Sequence, residues 1–296
     1  MKKTTILRKL LKEPGVMIVP PAYDCLAARI IETVGFKAVF MSANMTDTAQ
    51  LGMPNLGLST ASEVVNCAKY MANSVNIPVI LGAGDGYGGA LVAYRTTQEV
   101  IRAGVAGIVI SDQKNLLLAR TPHNMGEVLP RDEYLGKIGA VLEARNEEDK
   151  DFIIVARIDA GATMGDEEVI ARAKACVKLG ADLILPHSVP RESKFAQKDK
   201  EGLRKFYKKM GAPEVMIWWG FGPHDITAKD CKDMGAKLWV PPNSPMDAVK
   251  RALFDVYEEI YETGNYIPSQ GTPIKDFSKK LRGKEFWLEL ENKYVP

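Results

Sequence analysis

The chain has no CxxC pair and no apolar run near the ~20 residues that a bilayer span needs. Its four cysteines, Cys25, Cys67, Cys176 and Cys231, are widely scattered. That spacing excludes a zinc knuckle or a thioredoxin-type redox pair and suits small buried residues in a reducing compartment. Charge of one sign is missing too. Lys and Arg number 39 and Asp and Glu number 37, a formal net charge of +2, too little for a sequence-independent grip on nucleic acid. The N-terminal MKKTTILRKLLKEPG is basic, but charges interrupt its apolar residues. It lacks the apolar core and small-residue cleavage site of a signal peptide. No G-x-G-x-x-G follows the first strand-like run, which counts against a dinucleotide-binding fold. A cytoplasmic protein is expected, with neither a nucleic-acid nor a membrane partner.

What is present is ordinary in bulk and regular in order. The 296 residues are 46% hydrophobic and 26% charged, typical of a globular protein and enough for one large α/β domain or two smaller ones. Short runs that are apolar throughout recur at 15–20 (GVMIVP), 38–42 (AVFMS), 78–83 (PVILGA), 107–111 (GIVIS), 152–157 (FIIVAR), 182–186 (DLILP), 215–219 (VMIWW) and 237–240 (KLWV). Unbroken apolarity suits parallel strands covered on both faces. Helical stretches lie between them. One follows a capping arrangement at 59–63, one runs over 131–145, and one runs over 166–179 and stops at Gly180. The helix–Gly–strand unit repeats in VGFKAVF, AGVAGIVI, LGADLIL and MGAKLWV. Eight strand candidates alternating with helices over about 225 residues predict a (β/α)8 TIM barrel. An open doubly wound sheet is the alternative. Residues 1–265 form the predicted barrel. Residues 266–296 form a C-terminal, partly helical extension that packs on the barrel or on a neighbouring subunit.

In such a barrel the chemistry sits at the C-terminal strand ends. Those ends carry Tyr23 and Asp24, Ser42-Ala43-Asn44, Gly84 to Gly88, Ser111-Asp112-Gln113, Arg157-Ile158-Asp159, His187, Trp218-Trp219 and Asn243-Ser244. An Arg closing an otherwise apolar strand needs an anionic partner, and a guanidinium can hold a carboxylate through two hydrogen bonds. Arg157 is therefore a candidate carboxylate anchor.

In their order, PPAYDCLAARIIETVGFKAVFMSANM, GMPNLGLSTASEV, GDGYGGA, RAGVAGIVISDQ, GKIGAVLEAR, ARIDA and GADLILPHS resemble the isocitrate lyase/phosphoenolpyruvate mutase superfamily over roughly residues 10–265. The nearest likeness is to the short methylisocitrate and 2,3-dimethylmalate lyases. The resemblance implies a barrel whose eighth helix is exchanged between paired subunits, usually in homotetramers, as a dimer of helix-swapped dimers. It implies Mg²⁺-assisted binding of α-oxo or α-hydroxy carboxylates and bond cleavage next to an enolate. It also implies a loop after the fourth strand that closes over the substrate.

The departures from that pattern cluster at the metal. The family's D-x-D-T-G-Y-G is Gly82-Ala83-Gly84-Asp85-Gly86-Tyr87-Gly88 here, G-x-P-D is Gly52-Met53-Pro54-Asn55, and E-D-Q is Ser111-Asp112-Gln113. Asn55, Gly82, Gly84 and Ser111 thus stand where the resemblance implies acids, and the usual Mg²⁺ site is not expected. Asp85 and Asp112 either make a displaced cation site or serve otherwise: Asp85 as a general base or a turn cap, Asp112 as a loop tie. The lyases' K-(K/R)-C-G-H loop has no thiol counterpart here; His123 or His187 is then the proton carrier, or each is structural. Arg157 matches the family's substrate-carboxylate Arg. Tyr23, Asp24, Ser42, Ala43 and Asn44 sit where the family binds a carboxylate, and Gly86 and Tyr87 are further substrate-binding candidates. Trp219 is expected to form an aromatic wall, and His224 has no assigned role.

Three functions are compatible with these residues. The first is a carbon–carbon lyase, or the reverse condensation, acting on a small branched carboxylate through an enolate-type intermediate. Its expected catalytic residues are Asp85, His123, His187 and Arg157. The second is a catalytically silent or repurposed carboxylate-binding barrel. The third is a phosphonate mutase or hydrolase, although Arg120-Thr121-Pro122-His123-Asn124 is a poor match to a mutase loop.

Overall fold

Parallel neighbours need crossover connections, so alternating apolar runs and helices fold into βα units. The computed structural model describes residues 1–114, 127–186, 200–211, 215–218, 227–241, 244–265, 281 and 283–295. Among these, parallel strands are β1 (Met17–Ile18), β2 (Pro21–Ala22), β3 (Val39–Met41), β4 (Val79–Gly82), β5 (Gly107–Ser111), β6 (Ile153–Ile158), β7 (Leu183–Pro186), β8 (Val215–Trp218) and β9 (Ala236–Val240). They lie in the order β1-β9-β8-β7-β6-β5-β4-β3-β2. The two outermost strands of that order are successive pieces of one extended segment, parted by Val19 and Pro20. β1 pairs with β9 (Met17↔Leu238) and β2 pairs with β3 (Pro21↔Phe40). Between them the Val19 N–H donates to Trp239 O at 2.9 Å and the Phe40 N–H to Pro20 O at 3.0 Å. The sheet therefore closes on itself. This is the expected (β/α)8 barrel, its first strand split near a proline that has no N–H to offer a ladder.

The helices are α1 (Lys3–Lys12), α2 (Cys25–Val34), α3 (Ala43–Thr46), α4 (Ala61–Ser74), α5 (Ala90–Arg102), α6 (Arg131–Glu148), α7 (Gly161–Met164), α8 (Asp166–Leu179), α9 (Lys200–Met210), α10 (Ala228–Asp233), α11 (Ser244–Thr263) and α12 (Lys284–Tyr294). A π-helical turn, Asp47–Leu51, continues α3. Local chemistry sets their ends. Thr60 and Glu63 form a reciprocal capping box at the start of α4. Three acids occupy the first turn of α8, and Gly180 ends it at φ 110.

The unbroken apolar runs are explained by two apolar layers. Phe40, Ile80, Val109, Ile153, Val155, Leu183, Leu185, Met216, Leu238 and Val240 fill the barrel interior. Their neighbours in sequence, among them Val39, Met41, Val79, Leu81, Ile108, Ile154 and Ile184, pack outward against the helices. Each strand residue is thus buried whichever way it points.

Helix α1 has a role the sequence did not suggest. Leu7 is fully buried in the interior cluster. Arg8 donates to Asp151 O, Phe152 O and Asp182 Oδ1 at 2.9–3.1 Å. These partners precede or begin β6 and β7, so α1 covers the N-terminal end of the barrel and leaves the opposite end as the mouth. Among the described residues no helix is long and apolar enough to cross a membrane.

Candidate functional site

The alternation that fills the barrel also selects what reaches its mouth. One cavity of about 50 Å³ is lined by Phe40, Ser42, Ala43, Asn44, Asn55, Ser59, Gly82, Gly84, Tyr87, Val109, Arg157 and Leu185. Phe40, Gly82, Val109, Arg157 and Leu185 come from five neighbouring strands and share the inward face. On a scale where one water takes about 10–15 Å³, this is room for a ligand of a few heavy atoms.

The β5–β6 side is a closed charge network. Arg157 donates from Nε to Asp159 Oδ2 at 2.9 Å and from Nη2 to Asp159 Oδ1 at 2.7 Å. The Ser111 hydroxyl donates to Asp159 Oδ2 at 2.7 Å and accepts the Gln113 N–H at 3.0 Å. Asp112, fully buried, accepts the Asp159 N–H at 2.7 Å and pairs with Arg172 at 3.1 Å. Arg172 is itself buried and also holds Glu168 at 2.8 Å, which Arg131 grips from outside. Burial and the nearby Asp159 charge push the Asp112 carboxyl up, against the pull of Arg172. Arg157 is left clamped in one orientation. Its Nη1 has no hydrogen bond among the described residues.

The β3–β4 side is built differently. Ser42 caps α3 through its hydroxyl, which accepts the Met45 N–H at 3.4 Å. After β4, Gly84, Gly86, Tyr87 and Gly88 all have positive φ. Tyr87, at φ 66, is the one non-glycine residue in that state among the described residues, a backbone conformation L-residues adopt only under constraint. Asp85 supplies the constraint: its Oδ1 accepts the Tyr87 N–H at 2.9 Å, and its carbonyl accepts from the buried Lys137 Nζ at 2.8 Å. Burial raises the Asp85 carboxyl above its ordinary value, opposed by the Tyr87 N–H and Lys137. Burial also lowers Lys137 and lifts the Tyr87 phenol far above its usual range. Tyr87 therefore faces the cavity as a neutral hydroxyl.

A sequence model of the family described as phosphoenolpyruvate phosphomutase matches residues 7–261. The chain is 33% identical to the chloroplastic carboxyvinyl-carboxyphosphonate phosphorylmutase of Arabidopsis thaliana, over 98% of this chain and 84% of that one. It is 33% identical to the 2-methylisocitrate lyase of Aeropyrum pernix, over 88% of this chain and 80% of that one. The chain belongs to the phosphoenolpyruvate mutase/isocitrate lyase superfamily. It is an enzyme fold in that sense, and solved members superpose closely. Oxaloacetate acetylhydrolase with the inhibitor 3,3-difluorooxalacetate aligns at a TM-score of 0.88 and 27% identity, covering 99% of this chain and 97% of that one.

The Mg²⁺ that the superfamily resemblance implies does not fit these residues. Mg²⁺ wants hard oxygens and usually one or two carboxylates. The cavity lining offers Ser42, Asn44, Asn55 and Ser59 but no carboxylate, and a guanidinium shares the space. The volume beside Gly82 is also taken. A Cβ on Gly82 would stand 2.9 Å from Phe40 Cζ and 3.4 Å from Cε1, so a side chain at 82 would require the ring at 40 to shift. Among the described residues no group of three or more His, Cys, Asp or Glu is arranged to hold a metal.

Of the residues expected from sequence, Ser42, Ala43, Asn44, Tyr87 and Arg157 line the cavity together. Gly86 lies in the turn behind it, where a Cβ would press on Ala93 at 3.0 Å. Tyr23 is buried beside Met45 and Met246 and does not line the cavity. The Asp85 carboxyl ties its own turn. Asp112 lies one layer behind, ion-paired. His123, His187, Trp219 and His224 lie outside the described residues. Sequence reasoning passed over Phe40, Asp47 and Arg172, and named Asp159 as part of a strand end without giving it a role. Its partnership with Arg157 was legible: two residues beyond Arg157, it shares a strand face with it. Asp47 left a fainter sign, a lone acid in the run ANMTDTAQLG.

Proposed function

We propose that this chain is a carbon–carbon lyase, or catalyses the reverse condensation, on a small branched carboxylate, and that it grips the carboxylate directly rather than through Mg²⁺. The observation that carries this is the pairing of a clamped Arg157 with the Phe40 ring seated against Gly82, in a cavity of about 50 Å³. In cleavage, a base takes a hydroxyl proton from the substrate and the C–C bond breaks. A carbonyl fragment leaves, and the electron pair remains on the other as an enolate, which a proton then quenches. Preorganised donors around the developing charge supply most of such catalysis. Arg157, the neutral Tyr87 hydroxyl and Ser42 are the donors suited to it. Asp85, His123 and His187 are the candidates to move the protons.

The test is to incubate small branched hydroxy-carboxylates with the enzyme in excess chelator and follow both fragments by NMR. Two products at an undiminished rate support the proposal. Complete loss in chelator, restored by Mg²⁺, overturns its direct-binding half.

A second function is favoured by one observation. Among the described residues Arg157 and Tyr87 are the ionisable groups in the cavity lining, and neither is suited to take a proton near neutrality. A catalytically silent carboxylate-binding barrel follows if a tightly bound ligand yields no product. The phosphonate mutase or hydrolase alternative draws on the name of the Arabidopsis relative, but among the described residues the cavity lining has no carboxylate to seat the cation that phosphoryl transfer ordinarily needs.

Helix exchange between subunits belongs to the same proposal. Val249, Leu253, Tyr257 and Ile260 fall at helical spacing on α11 and are exposed, and Phe286, Trp287 and Tyr294 of α12 are 60–69% exposed. Apolar faces of that extent suit burial against a second copy. Residues 266–296 are then the extension to the barrel of 1–265, in a cytoplasmic homo-oligomer. Sedimentation of the full chain checks this: a dimer or tetramer is expected.

A further inference from the structure

The β3–β4 side of the cavity holds an acid that no feature of the site above uses. Asp47 sits in the π-helical turn that continues α3 and is 1% exposed. Its Oδ2 accepts from Asn55 Nδ2 at 2.7 Å. Its Oδ1 is buried with no hydrogen-bond partner among the described residues, as is the hydroxyl of the preceding Thr46. A buried carboxylate with a single hydrogen-bond partner is costly, and π-helical turns interrupting helices occur often at functional sites. The hydrogen bond this carboxylate makes fixes Asn55, which lines the cavity.

A primary amide has a donor end and an acceptor end, and either can face a given partner. A carboxylate offers acceptors only. With Asp47 behind it, the Asn55 NH₂ commits one of its two N–H groups to Asp47, which fixes the orientation of the amide and leaves its carbonyl oxygen as the acceptor it can offer the cavity. We propose that Asp47 is a positioning residue that holds Asn55 as a hydrogen-bond acceptor, so that the cavity selects a carboxylate bearing a hydroxyl over its carbonyl counterpart. A hydroxyl donates to Asn55 Oδ1. A carbonyl at the same place sets two acceptors against each other. Sites built around a substrate hydroxyl discriminate strongly because the analogue leaves a buried polar group unpaired. The cavity is small enough for one compact ligand to meet both Arg157 and Asn55. This inference rests on the cavity being a carboxylate site.

Calorimetric titration of the full chain with lactate and with pyruvate, as matched probes, tests it. The wild type binds lactate at least about tenfold more tightly, the scale of one neutral hydrogen bond. Asp47→Asn keeps the shape but can present an amide to Asn55 and let it turn over. It lowers lactate affinity about tenfold, leaves or improves pyruvate affinity, and so collapses the ratio, an effect that a merely structural role for Asp47 would not produce. Asn55→Ala, a change at a partly exposed position, removes the preference without touching the buried acid, and stands as the test if Asp47→Asn does not fold. Equal binding of the two acids by the wild type, or an unchanged ratio in Asn55→Ala, overturns the inference and leaves the carboxylate site standing. Binding of neither acid overturns both.

Discussion

The two sides of the barrel mouth treat charge in opposite ways. On the β5–β6 side, Asp112, Asp159, Arg157 and Arg172 are buried or nearly so, and each carboxylate meets a guanidinium or a backbone N–H. On the β3–β4 side, glycine, serine and amide surround the cavity, Phe40 fills the space beside Gly82, and the buried acid Asp47 lies a layer back with an oxygen unpaired among the described residues. One side pairs its buried charges with one another, and the other surrounds the cavity with uncharged groups. The guanidinium of Arg157 stands on β6 and the glycine wall on β4, so a change in one can leave the other in place.

Four changes would break or sharpen that contrast. The largest effect is expected for Arg172→Ala, which strands the fully buried Asp112. Removing one partner of a buried ion pair costs about 3–5 kcal/mol, and urea unfolding should show a loss of that order. Next is Arg157→Gln. It removes the charge that meets the ligand and should weaken pyruvate binding about a hundredfold, within the range for breaking a buried charged contact; calorimetry reads this directly.

The third change concerns Phe40 and Gly82. Gly82→Ala should destabilise the fold by about 1–3 kcal/mol through overpacking, and Phe40→Ala should relieve that cost in the double variant. Phe40→Ala combined with Gly82→Asp should bind Mn²⁺ detectably by electron paramagnetic resonance, where the wild type does not. A wild-type Mn²⁺ signal equal to that of the double variant would remove the contrast.

The smallest effect belongs to Asp85. Its carboxyl is raised in the folded state, chiefly by burial. The folded state therefore holds this proton more tightly than the unfolded chain does. Its contribution to stability is fully present below the ordinary carboxylate range and is lost as pH rises through the raised value. Asp85→Asn can still accept the Tyr87 N–H but carries no charge to desolvate. Its unfolding free energy relative to wild type should grow as pH rises from about 4 toward neutrality. A flat difference across that range would show that burial does not govern this carboxyl.

The barrel was legible from the sequence, because its cause is local and repeated. A strand buried on both faces must be apolar throughout, and eight such runs alternating with capped helices admit few folds. The predicted strands match the observed ones, apart from the break at Pro20. The α1 cover was not legible, since an amphipathic basic helix at a terminus has no pattern that states what it packs on. Arg157, Ser42, Ala43, Asn44 and Tyr87 were expected at the mouth because strand ends face it, and they line the cavity there. Asp47 and Phe40 were missed for a physical reason. Their effects depend on contacts across strands, Asp47 with Asn55 and Phe40 with Gly82, and nothing in either residue's own neighbourhood reveals them. That Asn55, Gly82, Gly84 and Ser111 stand where the resemblance implies acids was visible in the sequence; the contacts these residues make in the fold were not.

The most direct measurement is the affinity of pyruvate for the full chain, titrated once in excess EDTA and once in millimolar Mg²⁺. A carboxylate held by Arg157 and its neighbours binds equally in both. Binding that vanishes in EDTA and returns with Mg²⁺ would contradict direct capture of the anion.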